Sequence, residues 1–551
     1  MTDIEITKKF KMEHIKDIAN KANIDEKYLE QYGNYKAKIN YEELIKDNNS
    51  KLILVTATNP TPYGEGKTTV SIGLVDSLKK LKENAIGVLR EPSMGPVFGI
   101  KGGATGGGYA QVVPMEDINL YFTGDFYAIE QANNLLCAAI DNHIKQGNEL
   151  DIDLNNICFS RCLDVNDRAL RNIHIALGNP INGMPRKDSF TITAASEIMS
   201  VLCLSTSLED LKKNLDNILV GYNTKQEPIY AKDLKVTDSM QVLLKDAIKP
   251  NLVQTLYNNP VIIHGGPFAN IAHGCNTIIA TKLGMSLSDY TITEAGFGAD
   301  LGAEKFFDIK CRKAGLKPDC VVLVTTIKAL KYNANVDKEN IEKPNLEKLK
   351  EGTANLCAHI ENLSKQNSNI IVAINKYTTD TKEELDYLQN FLKENNVESA
   401  ICEEYTKGED GCIDLAKKVM EITKKENEFK FMYDVNDSIR EKIETLCIEI
   451  YKARTIRFSP KALESIELIE SIGKDKLPIC VAKTQYSLSD DPKKLGYPKD
   501  NDIEVKDIIL YSGAGFITVL LKDIMRLPGL PKVPNYENIK LDKNNEIEGI
   551  F

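Results

Sequence analysis

The sequence predicts an α/β fold: a large domain built on a parallel sheet of the phosphate-loop (P-loop) type, with two smaller α/β domains. The first reason is length, because 551 residues exceed what a single hydrophobic core accommodates. The second is that short apolar runs of strand length alternate along the chain with helical patterns, as in a parallel sheet covered by helices. The third is composition, since 42% hydrophobic and 27% charged residues are typical of a globular protein.

The predicted sheet begins with Lys51–Thr58 (KLILVTAT), a short apolar run that indicates a buried strand. A loop rich in proline and glycine follows, then a helix through Ser71–Lys80 and a second strand at Ala85–Glu91. The fifty residues before this unit predict amphipathic helices rich in Lys and Glu. Four later apolar runs extend the same architecture: Pro260–His264, Tyr290–Thr293, Val321–Thr325 and Asn369–Asn375.

Composition excludes several classes of function. No run approaches the roughly 18 consecutive apolar residues that a membrane helix needs, and the N-terminus lacks an apolar export segment. The net charge of −10, with no compensating basic stretch, disfavours a nucleic-acid partner. The 12 cysteines are scattered without a C-x-x-C pair, whereas a structural zinc site would need tighter clustering. We therefore expect a cytoplasmic protein with reduced, buried cysteines.

The loop after the first strand of the sheet carries a phosphate-binding pattern. It reads N-P-T-P-Y-G-E-G-K-T-T and fits G-x-x-x-x-G-K-[ST], except that Thr61 occupies the first glycine position. Lys67 would neutralise the β- and γ-phosphates, and Thr68 would offer its hydroxyl to Mg²⁺. The candidate nucleotide-binding residues are Thr61, Pro62, Gly64, Glu65, Gly66, Lys67, Thr68 and Thr69.

Two further patterns bear on the nucleotide and on the metal. Asn375–Lys376 resembles the start of the guanine-reading N-K-x-D of GTPases, but position 378 is Thr, so ATP is the better prediction. Glu294 and Asp300 follow a predicted strand, where phosphate-loop proteins often keep an acid linked to magnesium. Helix capping or a salt bridge is the alternative for both acids.

The most specific segment is Gly99–Tyr109 (GIKGGATGGGY), which resembles the signature of formate–tetrahydrofolate ligases, G-[apolar]-K-G-G-A-A-G-G-G-Y. Only Thr105 departs from that pattern, where the family usually has Ala. Further matching blocks carry the resemblance from about residue 5 to the C-terminus: His264–Asn276, Thr293–Arg312, Val481–Pro492 and Gly513–Lys532.

The resemblance implies ATP-dependent ligation of formate to tetrahydrofolate through formyl phosphate. In the family an arginine, matched by Arg90, holds the formyl phosphate, and its planar fork suits two phosphate oxygens. Lys67 and Arg90 are thus the expected catalytic residues. The glycine-rich segment would approach the same ligand through Lys101, Gly102, Gly103, Gly106, Gly107 and Gly108. The aromatic residues that sandwich the pterin correspond to Tyr377 and Tyr405, for which a structural role is the alternative.

The resemblance also implies a layout and an assembly. It predicts a nucleotide-binding domain over 1–361, a second α/β domain contributing the folate site over 362–453, and a C-terminal domain over 454–551. It further implies a homotetramer activated by a monovalent cation, K⁺ or NH₄⁺.

Departures from the family pattern cluster in the part of the chain expected to bind folate. They are Lys328 for Arg, Ala334 and Asn335 for two glycines, Glu409 for another glycine, and Tyr121 for His. Two alternatives therefore stay open: a diverged paralogue with a changed acceptor, and a P-loop nucleotide-dependent regulatory protein. Formate-dependent turnover distinguishes the ligase from the regulatory protein.

Overall fold

The computed structural model describes residues 3–47, 49–99, 104–522 and 524–550. Its strands are β1 Leu29–Gln31, β2 Ala37–Ile39, β3 Lys51–Ala57, β4 Ala85–Leu89, β5 Gly106–Gly107, β6 Ala110–Val113, β7 Ile152–Ile157, β8 Arg161–Leu163, β9 Ile173–Ile175, β10 Arg186–Asp188, β11 Phe190–Ile192, β12 Leu219–Asn223, β13 Pro228–Tyr230, β14 Asn251–Thr255, β15 Pro260–Ile263, β16 Tyr290–Glu294, β17 Cys320–Thr325, β18 Ile370–Asn375, β19 Glu398–Cys402, β20 Ala453–Phe458, β21 Ile479–Ala482, β22 Asn501–Tyr511, β23 Phe516–Leu521, β24 Lys540–Leu541 and β25 Ile547–Glu548.

The helices alternate with these strands through the first three quarters of the chain. They are α1 Asp3–Thr7, α2 Ile15–Lys21, α3 Lys67–Lys80, α4 Met94–Phe98, α5 Met115–Asn119, α6 Asp125–Lys145, α7 Glu197–Leu204, α8 Leu208–Asp216, α9 Thr237–Leu244, α10 Ile278–Leu287, α11 Gly302–Lys305, α12 Arg312–Ala314, α13 Ile327–Asn333, α14 Leu346–Ser364, α15 Lys382–Glu394, α16 Glu404–Lys407, α17 Ile413–Ile422, α18 Ile439–Glu449 and α19 Pro460–Ser471. None of these described helices is long and apolar enough to cross a bilayer.

A large, mostly parallel sheet dominates the structure. Its order is β1-β2-β14-β15-β4-β16-β3-β17-β18-β19, with β6 and β5 branching from β14. The seven strands from β15 to β19 in that order are parallel to one another, whereas β14 and β2 run antiparallel to their neighbours. The predicted α/β class with a large parallel sheet is confirmed, and the predicted division into three domains stays a prediction.

Strand β3 shows why these sequences form buried parallel strands. Leu52 and Leu54 belong to the hydrophobic cluster on one face of the sheet, and Ile53 and Val55 to the cluster on the other. Successive side chains of a strand point to opposite faces, so a strand covered on both sides must be apolar at every position. The central run LILV (52–55) meets that requirement, and short runs rich in apolar residues were the sequence signal for all of the parallel strands except β19, which was not predicted.

The prediction of helices throughout the first fifty residues was wrong in part. Helices α1 and α2 are present, but Leu29–Gln31 and Ala37–Ile39 form an antiparallel hairpin instead. The second strand of that hairpin pairs with β14 and continues the large sheet. The hydrogen-bonding edge of β14 thus determines the conformation of this segment, and local helix propensity is overridden.

Beyond the large sheet, a four-stranded sheet in the order β20-β22-β23-β21 lies in the C-terminal part of the chain. Helices α18 and α19 pack against it in a separate hydrophobic cluster that includes Ile443, Leu446 and Ile469. One buried ion pair joins this region to the large sheet: the Lys483 ammonium lies 2.7 Å from Asp300, which follows β16. The C-terminal region is therefore anchored beside the carboxyl ends of the parallel strands.

Candidate functional site

Most of the predicted site residues lie at one edge of the large sheet. Parallel strands have their carboxyl ends at the same edge, and ligands of open α/β sheets bind in the crevice outside it. The candidates come from the segments that follow β3, β4, β16, β18 and β19, which are neighbours in the sheet or separated by one strand. Candidates distant in sequence are thereby brought together, namely Lys67, Arg90, Glu294, Tyr377 and Tyr405.

The loop between β3 and α3 is held by internal hydrogen bonds and two left-handed glycines. Gly64 has φ +77° and Gly66 has φ +76°, a conformation that costs most other residues about 1–2 kcal/mol. The buried Glu65 carboxylate accepts a hydrogen bond from the Thr61 backbone N–H at 2.6 Å. A threonine at the usual first glycine position is therefore compatible with a closed loop.

Helix α3 begins at Lys67, directly after this loop. Gly66 precedes its first residue and supplies no side-chain cap, so the first backbone N–H groups of α3 are available to an anion. Burial lowers the pKa of the Lys67 ammonium, and the charges of Glu65 and Glu294 oppose that shift. The positive end of the helix and the ammonium group thus lie at the same place.

Glu294 joins the helix start to Arg90. The Thr68 hydroxyl donates to one Glu294 carboxylate oxygen at 2.8 Å, and the other oxygen lies 3.9 Å from Arg90 Nε. Glu294 is only 4% exposed, so its carboxylate is directed at these two groups and away from bulk water. A hydroxyl and a carboxylate oxygen are the hard ligands that Mg²⁺ prefers, and their contact fits a magnesium site.

Arg90, which directly follows β4, is incompletely satisfied. Its Nη1 donates to the Pro267 carbonyl at 3.3 Å, and its buried Nε has no hydrogen-bond partner among the described residues. Although Glu294 balances its charge at 3.9 Å, a buried donor without a hydrogen bond is costly, and in native proteins such a group commonly binds a ligand or a water. The arrangement is suited to an anion bound between Arg90 and the start of α3.

Asp300, the second acid considered for a metal, is occupied elsewhere. Its carboxylate pairs with Lys483 at 2.7 Å and accepts from the Asn59 amide at 3.2 Å. Both Asp300 and Lys483 are fully buried, and burial lowers the pKa of Lys483. The salt bridge that the sequence left open as an alternative is therefore what the structure contains at this position.

Tyr377 packs directly on the loop after β3. Its hydroxyl lies 3.1 Å from the Gly64 carbonyl and 3.3 Å from the Tyr63 carbonyl. Burial raises the pKa of Tyr377 to about 12, so the hydroxyl is a donor at neutral pH. The Lys328 ammonium, at a position where the family has Arg, lies 4.5 Å from the centre of the Tyr377 ring.

Tyr405 lies against the glycine-rich segment. A Cβ added to Gly108 would stand 2.1 Å from the Tyr405 carbonyl, and one added to Gly107 would stand 3.1 Å from its ring. The Tyr109 N–H also donates to the Tyr405 carbonyl at 3.0 Å. Gly107 and Gly108 therefore permit close approach to a predicted folate-side aromatic residue, which is 47% exposed. Lys101, Gly102 and Gly103 lie outside the described residues.

Asn375 is a site residue whose role the sequence did not indicate. Its side-chain amide donates to the Glu65 carbonyl at 3.0 Å, and an added Cβ on Gly66 would fall 2.1 Å from that amide nitrogen. Asn375 ends β18 and thus braces the loop that follows β3. The sequence offers one signal for it, an asparagine directly after an apolar run. That signal resembles the start of a guanine-reading motif and does not indicate a contact with the phosphate-binding loop.

One departure from the family pattern is accommodated without distortion. Asn335, which replaces a glycine, has φ +61°, and asparagine tolerates this left-handed conformation better than most residues. Ala334 beside it is buried. The loss of these two glycines is thus compatible with an unchanged backbone at this turn.

Comparison with protein families agrees with this arrangement. The family described as Formate–tetrahydrofolate ligase matches residues 1–551, which is the whole chain. The match extends beyond the signature segment to the regions that supply Lys67, Arg90, Glu294, Tyr377 and Tyr405. The chain therefore belongs to the formate–tetrahydrofolate ligase family.

Proposed function

We propose that the chain uses ATP to phosphorylate formate and then transfers the formyl group to tetrahydrofolate. A formate oxygen attacks the γ-phosphorus, the bond to the β-phosphate oxygen breaks, and ADP leaves. The N10 amine of tetrahydrofolate then attacks the carbon of formyl phosphate. The C–O bond to phosphate breaks, the amine loses its proton, and 10-formyltetrahydrofolate and phosphate are released.

The observation that carries this proposal is the convergence of Lys67, Arg90 and the first turn of α3. Phosphoryl transfer is mainly positioning and electrostatic stabilisation, because negative charge accumulates on the equatorial oxygens. The P-loop residues 61–69 would hold the triphosphate with backbone N–H groups and the Lys67 ammonium. Arg90, whose buried Nε has no hydrogen-bond partner among the described residues, would then bind the phosphoryl group as it moves onto formate.

Thr68 and Glu294 would hold Mg²⁺, which supplies positive charge at the β- and γ-phosphates. Their 2.8 Å contact supports this assignment. Glu294 also lies 3.9 Å from Arg90. One oxygen of its carboxylate would thus bind the metal ion, and the other would orient the Arg90 guanidinium. Activation by K⁺ or NH₄⁺ and assembly as a homotetramer are proposed from the family resemblance alone.

Tyr377 and Tyr405 would line the tetrahydrofolate side of the cleft. The Tyr377 hydroxyl rests on the backbone of the loop after β3, and the Tyr405 ring contacts the glycine-rich segment. Both tyrosines thus contact backbone segments that would bind the phosphates: the loop after β3 for Tyr377 and the glycine-rich segment for Tyr405. This coupling would place the acceptor amine beside the formyl carbon, where proximity supplies much of the rate.

A second candidate is an acceptor other than tetrahydrofolate. The observation that favours it is the Lys328 ammonium, which lies 4.5 Å from the Tyr377 ring centre and is paired with Glu342 at 2.7 Å. A cation over one ring face leaves less of that face for a pterin. Under this alternative, ATP cleavage would depend on formate but would not respond to tetrahydrofolate.

A labelling experiment tests the proposed chemistry. With [¹⁸O]formate, ATP and tetrahydrofolate, the oxygen that attacks phosphorus must finish in the released phosphate, so labelled phosphate is expected in step with product. Omitting each substrate in turn should abolish product. Arg90→Ala should lose this turnover, whereas Arg440→Ala, which alters an exposed i,i+4 ion pair, should retain it. Product formation with unlabelled phosphate would contradict the formyl phosphate route.

A further inference from the structure

Two cysteines and a glutamate gather in the connection between β19 and α17. Cys402 ends β19, Glu404 starts α16, and Cys412 immediately precedes α17. One ligand atom from each of these three buried residues lies within 4.8 Å of the others. The backbone closes the connection, because the Glu403 N–H donates to the Gly411 carbonyl at 3.0 Å. Residues ten positions apart are thus brought to one point without a C-x-x-C motif.

The separation of the Cys412 sulfur and the Glu404 oxygen fits a tetrahedral metal ion. Zinc lies about 2.3 Å from sulfur and about 2.0 Å from a carboxylate oxygen, so these two ligands stand about 3.5 Å apart across a tetrahedral angle. Cys412 Sγ lies 3.5 Å from Glu404 Oε2. Three protein ligands would leave a fourth position for water or another group.

A second, independent observation is that the Glu404 carboxylate is incompletely satisfied. The residue is fully buried, and its Oε1 has no hydrogen-bond partner among the described residues. Burying a carboxylate without partners is costly unless it is protonated or faces a cation. Glu404 Oε1 therefore lacks a partner that a bound cation would supply.

We propose that Cys402, Glu404 and Cys412 bind a thiophilic divalent cation of the zinc class. Thiolate ligands select zinc over magnesium and calcium, which prefer oxygen donors only. Binding would release the two thiol protons, and a dication with two thiolates and one carboxylate leaves a net charge of −1 at the site. The sequence predicted reduced, buried cysteines, and Cys402 and Cys412 are free and buried in the structure; the proposal adds a bound metal ion to that pair.

The position of the cluster gives the ion a structural consequence. A Cβ added to Gly73 of α3 would stand 2.5 Å from Glu404 Cβ and 3.1 Å from Cys412 Sγ, so the cluster packs directly beneath that helix. Tyr405 follows Glu404 in the sequence. A metal held here would fix the turn that carries Tyr405 relative to the helix that begins at Lys67. Metal binding itself does not depend on which reaction the chain catalyses.

Metal content tests the proposal directly. The full chain is produced in cells supplied with Zn²⁺, or with Co²⁺ as a spectroscopic probe, because a buried site fills as the protein folds. We expect about one ion per chain and, with cobalt, the thiolate charge-transfer and tetrahedral bands of a sulfur-containing site. Cys402→Ser, Cys412→Ser and Glu404→Gln should each lower retained metal by about tenfold or more. Cys447→Ser, which alters a buried cysteine in α18, should not.

A measurement on the unmodified chain covers the case in which these variants fail to fold. Cysteine alkylation during gentle unfolding is followed by mass spectrometry, with and without Zn²⁺. Selective protection of Cys402 and Cys412 by the ion supports the proposal. Equal labelling in both conditions, a Cys402–Cys412 disulfide in the isolated protein, or metal content unaffected by the three variants would overturn it.

Discussion

Replacing Gly66 by alanine tests how the loop after β3 is held. The change should weaken nucleotide binding far more than the same change at Gly64. Both glycines are left-handed, with φ +76° and +77°, so alanine costs each position about 1–2 kcal/mol. Their surroundings differ, because an added Cβ meets nothing within 4 Å at Gly64 but falls 2.1 Å from the Asn375 amide nitrogen at Gly66.

The extra cost at Gly66 has two parts. Displacing Asn375 breaks its 3.0 Å hydrogen bond to the Glu65 carbonyl, which contributes about 1 kcal/mol. Forcing a methyl group into a packed contact costs about 1–3 kcal/mol more. Together these amount to about 2–4 kcal/mol, or about a 30- to 1,000-fold further loss of affinity if the loop must adopt this conformation to bind nucleotide.

The assay is titration of an ATP analogue into Gly66→Ala, Gly64→Ala and the unmodified chain, with folding checked by circular dichroism. Asn375→Ala provides the decisive background, since it removes the obstructing side chain. In that background, most of the extra cost of alanine at Gly66 should disappear, and the remainder should reflect the Thr69 hydroxyl oxygen, which the added Cβ would approach to 2.7 Å. Equal losses for the two single variants, or no relief from Asn375→Ala, would refute the role assigned to Asn375.

Three further predictions follow from the same contacts. Glu294→Gln should raise the Mg²⁺ concentration for half-maximal turnover about tenfold or more, because a charged partner of Thr68 is lost; an unchanged Mg²⁺ dependence would dismiss the assignment. Tyr377→Ala should raise the KM for tetrahydrofolate about tenfold, and Tyr377→Phe much less, because the ring supplies the contact; equal effects would contradict stacking. Asp76, whose pKa burial raises to about 7, should be protonated in the folded chain at pH 5. Stability should therefore fall from about pH 4 to 7, by up to about 4 kcal/mol relative to Asp76→Asn, as measured by denaturant unfolding.

Six of the seven parallel strands were predictable because each is a short run rich in apolar residues, whereas β19 (ESAIC) is not such a run and was missed. The predicted strand Tyr290–Thr293 is observed as Tyr290–Glu294, and Val321–Thr325 as Cys320–Thr325. Helix α3 begins at Lys67, four residues before the predicted helical pattern, because its first three residues are polar and carry no apolar period. The hairpin at residues 29–39 was missed, since its pairing partner β14 lies more than 200 residues away in sequence.

The site was predictable residue by residue where a motif exists and unpredictable where only the fold brings groups together. Lys67 and Thr68 belong to a local pattern whose chemistry is readable without a structure. Asn375 and the Cys402–Cys412 pair depend on where β18 and β19 end relative to α3, which no local spacing encodes. The pairing of Asp300 with Lys483 is likewise a long-range contact, so the sequence could only leave its role open.

The central claim is that the start of α3, Lys67 and Arg90 together hold the phosphoryl group that is transferred. The most direct measurement is a crystal structure of the chain with Mg²⁺ and a non-hydrolysable ATP analogue. We expect the γ-phosphate oxygens about 2.7–3.2 Å from the Lys67 ammonium and the first N–H groups of α3, with Arg90 beside them. A triphosphate bound elsewhere, or bound in the loop with Lys67 turned away from it, would contradict the account.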